Sequence, residues 1–105
     1  MKRIGFQFKV RQDRLIEYME YHKHVWQEML DALHESGWHN YTLFMHDDGL
    51  IFGYFETEES LAVAQAKMAE KEINTRWQEF MSPFVDANAR PDEIFVELEE
   101  YFHLD

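Results

Sequence analysis

A tyrosine, a histidine and a tryptophan stand four residues apart, as Tyr18, His22 and Trp26, in the stretch YMEYHKHVWQEMLDAL. On a helix, that spacing sends all three side chains to roughly one side. An imidazole titrates near neutral pH and can both give and accept a proton. A phenol and an indole beside it offer polar donors and flat apolar faces, the combination that packs on a sugar ring and holds its hydroxyls. The wider stripe Leu15, Met19, His22, Trp26, Met29 and Leu33 is apolar except at His22. A lone histidine there reads as a satisfied core group; one flanked by a phenol and an indole reads as part of a pocket wall. Leu15, Met29 and Leu33 are expected to pack as core, and the middle of the stripe to line a cavity.

Other residues offer weaker chemistry. His22 and His24 form an H-x-H pair, but residues two apart on a helix diverge, and the remaining histidines are dispersed, so no metal ligand set is assigned. Trp77, Phe80 and Met81 form a core face by spacing, yet Trp77 at a helix start could also stack on a ligand. Asn40 and Tyr41 open a strand, where side chains reach a pocket mouth. His103 reads as a strand-surface residue. The acidic runs around Glu56–Glu59 and Glu97–Glu100 read as solvated faces rather than paired catalytic carboxylates. With no cysteine, thiol chemistry and disulfides are excluded.

The formal charge of −11 argues against a nucleic-acid partner and against anionic membrane surfaces. No apolar run approaches the roughly 18 residues of a membrane helix. The N-terminal MKRIGFQFKV alternates instead of forming a signal-peptide core. The reading is a single cytoplasmic domain over residues 1–105 with aromatics to spare for a pocket or a subunit interface.

The elements that must position these residues follow from periodicity. Ile4, Phe6, Phe8 and Val10 alternate with polar or small residues, as in a half-buried strand. Asp13 is a plausible cap for one helix running to about Ser36, with Gly37 as its stop. HNYTLFMH and LIFGYFE form a hairpin around Asp47-Asp48-Gly49, and Gly53 marks a bulge or a close approach. Thr57 caps a second helix, which breaks near Asn74; Asn74 caps a further segment to Met81. DANARPDE is irregular, and EYFHLD is a last short strand. The order strand, helix, strand, strand, helix, strand is that of an α+β ferredoxin-like plait with an antiparallel sheet. Its uncovered sheet face makes a homodimer the natural solution.

Several pieces together resemble the L-rhamnose mutarotase family nearly end to end. They are KRIGFQFKV, EYMEYHKHVWQEML with its Y-x-x-x-H-x-x-x-W core, the G-x-H-N-Y element from Gly37 to Tyr41, RWQEFM, and the closing EYFHL. The resemblance implies a dimeric α+β barrel that interconverts the α and β anomers of L-rhamnopyranose, a small-molecule substrate, with no cofactor. Carried over by position, the proton donor is His22, and the substrate-binding residues are Tyr18, Tyr41, Trp77 and Gln78. Trp26 joins that set from its place beside His22. Gln78 stands where some members have a second tryptophan, and Gln27 where a proline often follows Trp26. The chemistry suits the residues: ring opening needs a proton delivered to the ring oxygen while another leaves the anomeric hydroxyl, and histidine's ordinary pKa of about 6.5 serves both directions. The second proton carrier is left open between Tyr18, Tyr41 and a water. Two other readings remain: a monooxygenase-like enzyme on the same dimeric plait, and a non-enzymatic sugar-binding dimer.

Overall fold

The alternating first segment forms β1 (Lys2–Lys9), with Ile4, Phe6 and Phe8, and Val10 just beyond, buried on one face. The computed structural model describes residues 1–86 and 89–105. The other strands are β2 (His39–Met45), β3 (Leu50–Thr57) and β4 (Val96–Leu98). They lie in the order β2-β3-β1-β4, with every pairing antiparallel. This is the ferredoxin-like plait. The hairpin turn expected at Asp47-Asp48-Gly49 is present, with Gly49 at φ +96°, a conformation that favours glycine.

Gly53 answers a packing demand. It pairs directly with Phe6, and a Cβ there would sit 2.2 Å from Phe6 Cζ. The missing side chain is the space the Phe6 ring occupies.

The long first helix is two helices, α1 (Leu15–His22) and α2 (Gln27–Glu35), instead of one. Lys23 and His24 donate to carbonyls three residues back, the tightened bonding of a helix end, and Trp26 is extended at φ −59°, ψ 138°. Gln27 is thus the first residue of α2, the position where proline is best tolerated in a helix. Asp13 does not cap α1; it sits in a short 3-10 turn, and its carboxylate pairs with Arg11. Gly37 does stop α2. At φ +84° it allows Trp38 N–H to reach Leu33 O at 3.0 Å and its own N–H to reach His34 O at 3.2 Å, closing the last turn.

The second helical region also breaks elsewhere than expected. The segments are α3 (Leu61–Ala69) and α4 (Glu72–Met81), interrupted at Glu70–Lys71. Ser60, rather than Thr57, caps α3, its Oγ accepting from Val63 N–H at 3.1 Å. Thr57 still belongs to β3 and faces inward. Asn74 lies inside α4 and is buried, so Lys71 occupies the cap position. The final strand is Val96–Leu98, not the EYFHLD tail, whose Tyr101, Phe102 and Leu104 are exposed. The irregular reading of DANARPDE gains one short 3-10 turn at Pro91–Glu93, while residues 87 and 88 lie outside the described residues.

The core forms between the inward face of the sheet and the helices, with Phe6, Ile51, Phe55, Ala64, Met68 and Met81 among its most buried members. Phe44, Phe52, Val96 and Leu98 are exposed, and strand pairing places them together on the outer face. Among the described residues no helix is long and apolar enough to cross a membrane.

Candidate active site

His22 ends α1, one turn beyond Tyr18. Its Nδ1 lies 2.9 Å from the Tyr18 carbonyl oxygen. A carbonyl can only accept, so Nδ1 carries the hydrogen and Nε2 is the nitrogen left with a free lone pair. Tyr18 lies beneath the imidazole, ring centroids 4.3 Å apart, and Trp77 meets it edge-on at 5.5 Å. Burial pushes the His22 pKa below its ordinary value; the hydrogen bond to Tyr18 opposes that shift but is the smaller effect. The neutral ring is therefore the resting form at pH 7.

His22 opens onto a cavity of about 360 Å³ between the helices and the sheet. That volume lies in the range of small-molecule sites. The walls are mostly apolar, with Met29 and Leu33 from α2, Trp38 and Leu43 beside and on β2, and Trp77 from α4. Met29 and Leu33, expected as plain core, thus extend the cavity wall past the middle of the stripe.

Tyr41 reaches the same cavity from β2 because the strand is irregular there. The β2–β3 register shifts between His39 and Thr42, and Asn40 adopts φ +51°. Asparagine tolerates that left-handed conformation better than most residues. The kink turns Tyr41 inward against Trp38, at 4.9 Å between ring centroids, while Asn40 turns outward and donates to Glu56 at 3.2 Å. Asn40 is therefore not part of the cavity.

The two phenols are electrostatically linked. Burial raises the pKa of Tyr18, and Tyr41 raises it further; burial likewise raises Tyr41, with the negative charge of Asp92 adding to it. Both hydroxyls remain protonated throughout the neutral range and can act there only as hydrogen-bond partners or relays, not as resident bases.

The remaining candidates separate. Trp77 and Gln78 both line the cavity. Tyr18 and Trp26 do not: Tyr18 is buried beneath the His22 ring, and Trp26 packs edge-to-face on Trp77 at 5.0 Å and against Phe80 at 5.3 Å, buttressing Trp77 from outside. Gln78 is buried, and its amide is engaged at both ends: Nε2 donates to Asn74 Oδ1 at 3.2 Å, and Oε1 accepts from Asp92 N–H at 3.1 Å. Three polar lining residues escaped the sequence reading as site residues: Gln65, Asn74 and Asp92. For Asn74 the signal was present, since Asn74, Trp77, Gln78 and Met81 share one helical face, a polar pair within an apolar stripe. Among the described residues no three His, Asp or Glu side chains are grouped to hold a metal ion.

Comparison with known proteins gives this geometry a family. A family model described as L-rhamnose mutarotase matches residues 3–104. The L-rhamnose mutarotase of Oceanobacillus iheyensis is 38% identical and that of Bacillus subtilis 35% identical, each over the full length of both chains. The crystal structure of an L-rhamnose mutarotase from Formosa agariphila superposes with a TM-score of 0.82 at 25% identity, covering all of both chains. With a match across almost its whole length, in sequence and in fold, the chain belongs to the L-rhamnose mutarotase family.

Proposed function

We propose that this protein interconverts the α and β anomers of L-rhamnopyranose, with His22 moving the proton, Tyr41 and Trp77 holding the sugar, and Tyr18 holding His22. The observation that carries this reading is the locked tautomer: Nδ1 is committed to the Tyr18 carbonyl, so a single basic nitrogen, Nε2, serves a cavity of monosaccharide scale.

The chemistry then needs one nitrogen. The anomeric hydroxyl and the ring oxygen are bonded to the same carbon, so one Nε2 can reach both. Nε2 takes the hydroxyl proton as the C1–O1 bond becomes a carbonyl, and it delivers that proton to the ring oxygen as the C1–O5 bond breaks. Rotation about C1–C2 presents the other carbonyl face, and the same steps in reverse close the ring. The proton count balances with no net change in the enzyme. A depressed histidine pKa favours the delivery step, because the imidazolium holds its proton weakly. Tyr41 donates a hydrogen bond to a sugar oxygen, the Trp77 ring packs on a C–H face, and Tyr18 fixes the His22 ring from beneath. Trp26 steadies Trp77, and Gln78 steadies the segment bearing Asp92.

The pH dependence follows with a definite sign. Catalysis starts from neutral His22, so activity is retained above its folded-state pKa and lost as pH falls through it. Because burial lowers that pKa, the acid limb lies below histidine's ordinary value of about 6.5. Polarimetry of freshly dissolved α-L-rhamnose, corrected for buffer catalysis, should give an enzymic kcat/KM that is flat from pH 7 to 8 and declines only on the acid side. A rate that climbs as pH falls towards 5 would instead make the imidazolium the starting form and contradict the scheme.

A homodimer belongs to the same proposal. The outer-face residues Phe44, Phe52, Val96 and Leu98 form an apolar surface in one chain, and a second copy is the cover that a symmetric plait dimer supplies. Light scattering is expected to report twice the 12.8 kDa of the chain. Phe52→Glu should shift that mass towards the single chain; a wild-type mass of one chain would refute the dimer.

A further inference from the structure

Asp92 lies in the short turn Pro91–Glu93 and lines the same cavity as His22, yet the proton chemistry does not use it. Its surroundings are built with care. Arg90 approaches in a fork, Nε donating to Oδ1 at 3.2 Å and Nη2 to Oδ2 at 2.9 Å. Asn74 Nδ2 donates to Oδ2 at 3.4 Å. The Asp92 main chain is held as well: its N–H donates to Gln78 Oε1 at 3.1 Å, and its carbonyl accepts from Gln65 Nε2 at 2.7 Å.

Two of the groups that hold it, Asn74 at 2% exposure and Gln78 at 7%, are amides buried in a helix face that is otherwise apolar. Burying two amides beside a cavity is costly unless each is paired, and apolar residues of similar size would fill that helix face without the cost. The arrangement therefore serves something other than stability. The Asp92 side chain keeps 20% of its surface accessible. A carboxylate offers roughly four acceptor sites, and the protein fills three, leaving about one for a ligand donor. Its charge is already balanced by Arg90, which disfavours a cationic ligand and suits a neutral one bearing hydroxyls.

We infer that Asp92 is a substrate-binding group that accepts a hydrogen bond from a pyranose hydroxyl away from the anomeric centre, and that Asn74, Gln78 and Arg90 are positioning residues for it. This rests on the mutarotase reading and adds the group that registers the sugar so that C1 meets His22. Asp92 reads hydroxyls and transfers no proton.

The test separates the two readings by measuring binding and turnover independently. L-Rhamnose and its 2-, 3- and 4-deoxygenated derivatives are titrated against wild type and Asp92→Asn by protein-observed NMR, and anomer exchange is followed on the same samples. Asp92→Asn should weaken L-rhamnose binding about ten-fold or more, the scale of a lost charge-assisted hydrogen bond, with the loss falling in KM rather than in kcat. One of the three derivatives should bind wild type correspondingly less well and show no further loss with Asp92→Asn. Equal affinity of both proteins for L-rhamnose, or identical losses for every derivative in both, would overturn the assignment. If Asp92→Asn does not fold, the wild-type titrations still decide: no derivative weaker than L-rhamnose refutes a hydroxyl-reading carboxylate. Absence of wild-type exchange would overturn the mutarotase reading, whereas these affinities judge Asp92.

Discussion

His22→Asn should reduce enzyme-catalysed anomer exchange of L-rhamnose by about 10²–10⁴-fold, the usual worth of one positioned acid–base group. Asparagine is close to histidine in size and polarity, and its amide can still donate to the Tyr18 carbonyl that now receives Nδ1–H. What it lacks is a basic nitrogen. Tyr18 and Tyr41 cannot replace it, because their raised pKa values keep both phenols protonated. Sugar affinity should change little, since Trp77 and Tyr41 remain in the cavity wall. The uncatalysed reaction sets a floor, so the rate must be read above buffer at several enzyme concentrations. A folded variant that binds L-rhamnose and exchanges it within a few-fold of wild type would remove His22 from the mechanism.

The second large effect lies in the sheet. Gly53→Ala places a methyl 2.2 Å from Phe6 Cζ and 2.6 Å from Cε1 and Cε2. The ring has nowhere to retreat. It is fully buried, with Phe95 stacked on it at 4.2 Å and Phe8, Phe55 and Tyr41 each at 6.2 Å. Replacing a strand glycine would ordinarily gain roughly 0.5–1 kcal/mol of backbone entropy. Overpacking a close-packed core costs about 1–3 kcal/mol, and a contact this short belongs at the upper end, so the steric effect wins. For a domain of this size that lowers the melting temperature by on the order of 10 °C. Phe6→Leu should cost stability by itself yet relieve Gly53→Ala, so the double variant should be more stable than the two single effects sum to. Strict additivity in urea unfolding would mean that the ring and the methyl do not compete. Because Phe6 packs on Tyr41 and Phe95, which line the cavity, Gly53→Ala should also weaken sugar binding.

That second case was partly legible in the sequence: a glycine inside the strand marked a bulge or a close approach, and it is the close approach, by Phe6. Strand alternation likewise placed Ile4, Phe6 and Phe8, and the Asp48-Gly49 turn placed the hairpin. The break at residues 23–26 was not legible from periodicity, because no proline or glycine stands there and the stripe runs on unbroken. The clue was the proline that often follows the equivalent tryptophan in the family. A proline demands an extended residue before it and fits the first position of a helix, which describes Trp26 and Gln27 here.

Thr57 was the expected cap, yet Ser60 does the capping. The strand alternation that buries Ile51, Gly53 and Phe55 continues to Thr57 and so keeps it in β3. The last strand was placed too late because an antiparallel partner must have residues to pair with. Leu98 pairs with Gly5, so on that register Tyr101 falls opposite Lys2, the first residue of β1, and from Phe102 on the tail has run past it. Asp92 was the hardest to foresee, since its position depends on hydrogen bonds from two helices and from the cap of its own turn, and on no local periodicity. Even so, the polar pair Asn74 and Gln78 on an apolar helix face carried the same kind of signal as His22. A polar residue interrupting an apolar stripe marked a cavity wall in both helices.

The most direct test of the account is two-dimensional exchange NMR on L-rhamnose at anomeric equilibrium, with wild-type protein at catalytic concentration and pH 7.5. Cross-peaks between the α and β anomeric protons are expected, with a build-up rate that scales with enzyme concentration. Cross-peaks no stronger than in buffer alone, from a folded protein that binds the sugar, would contradict it.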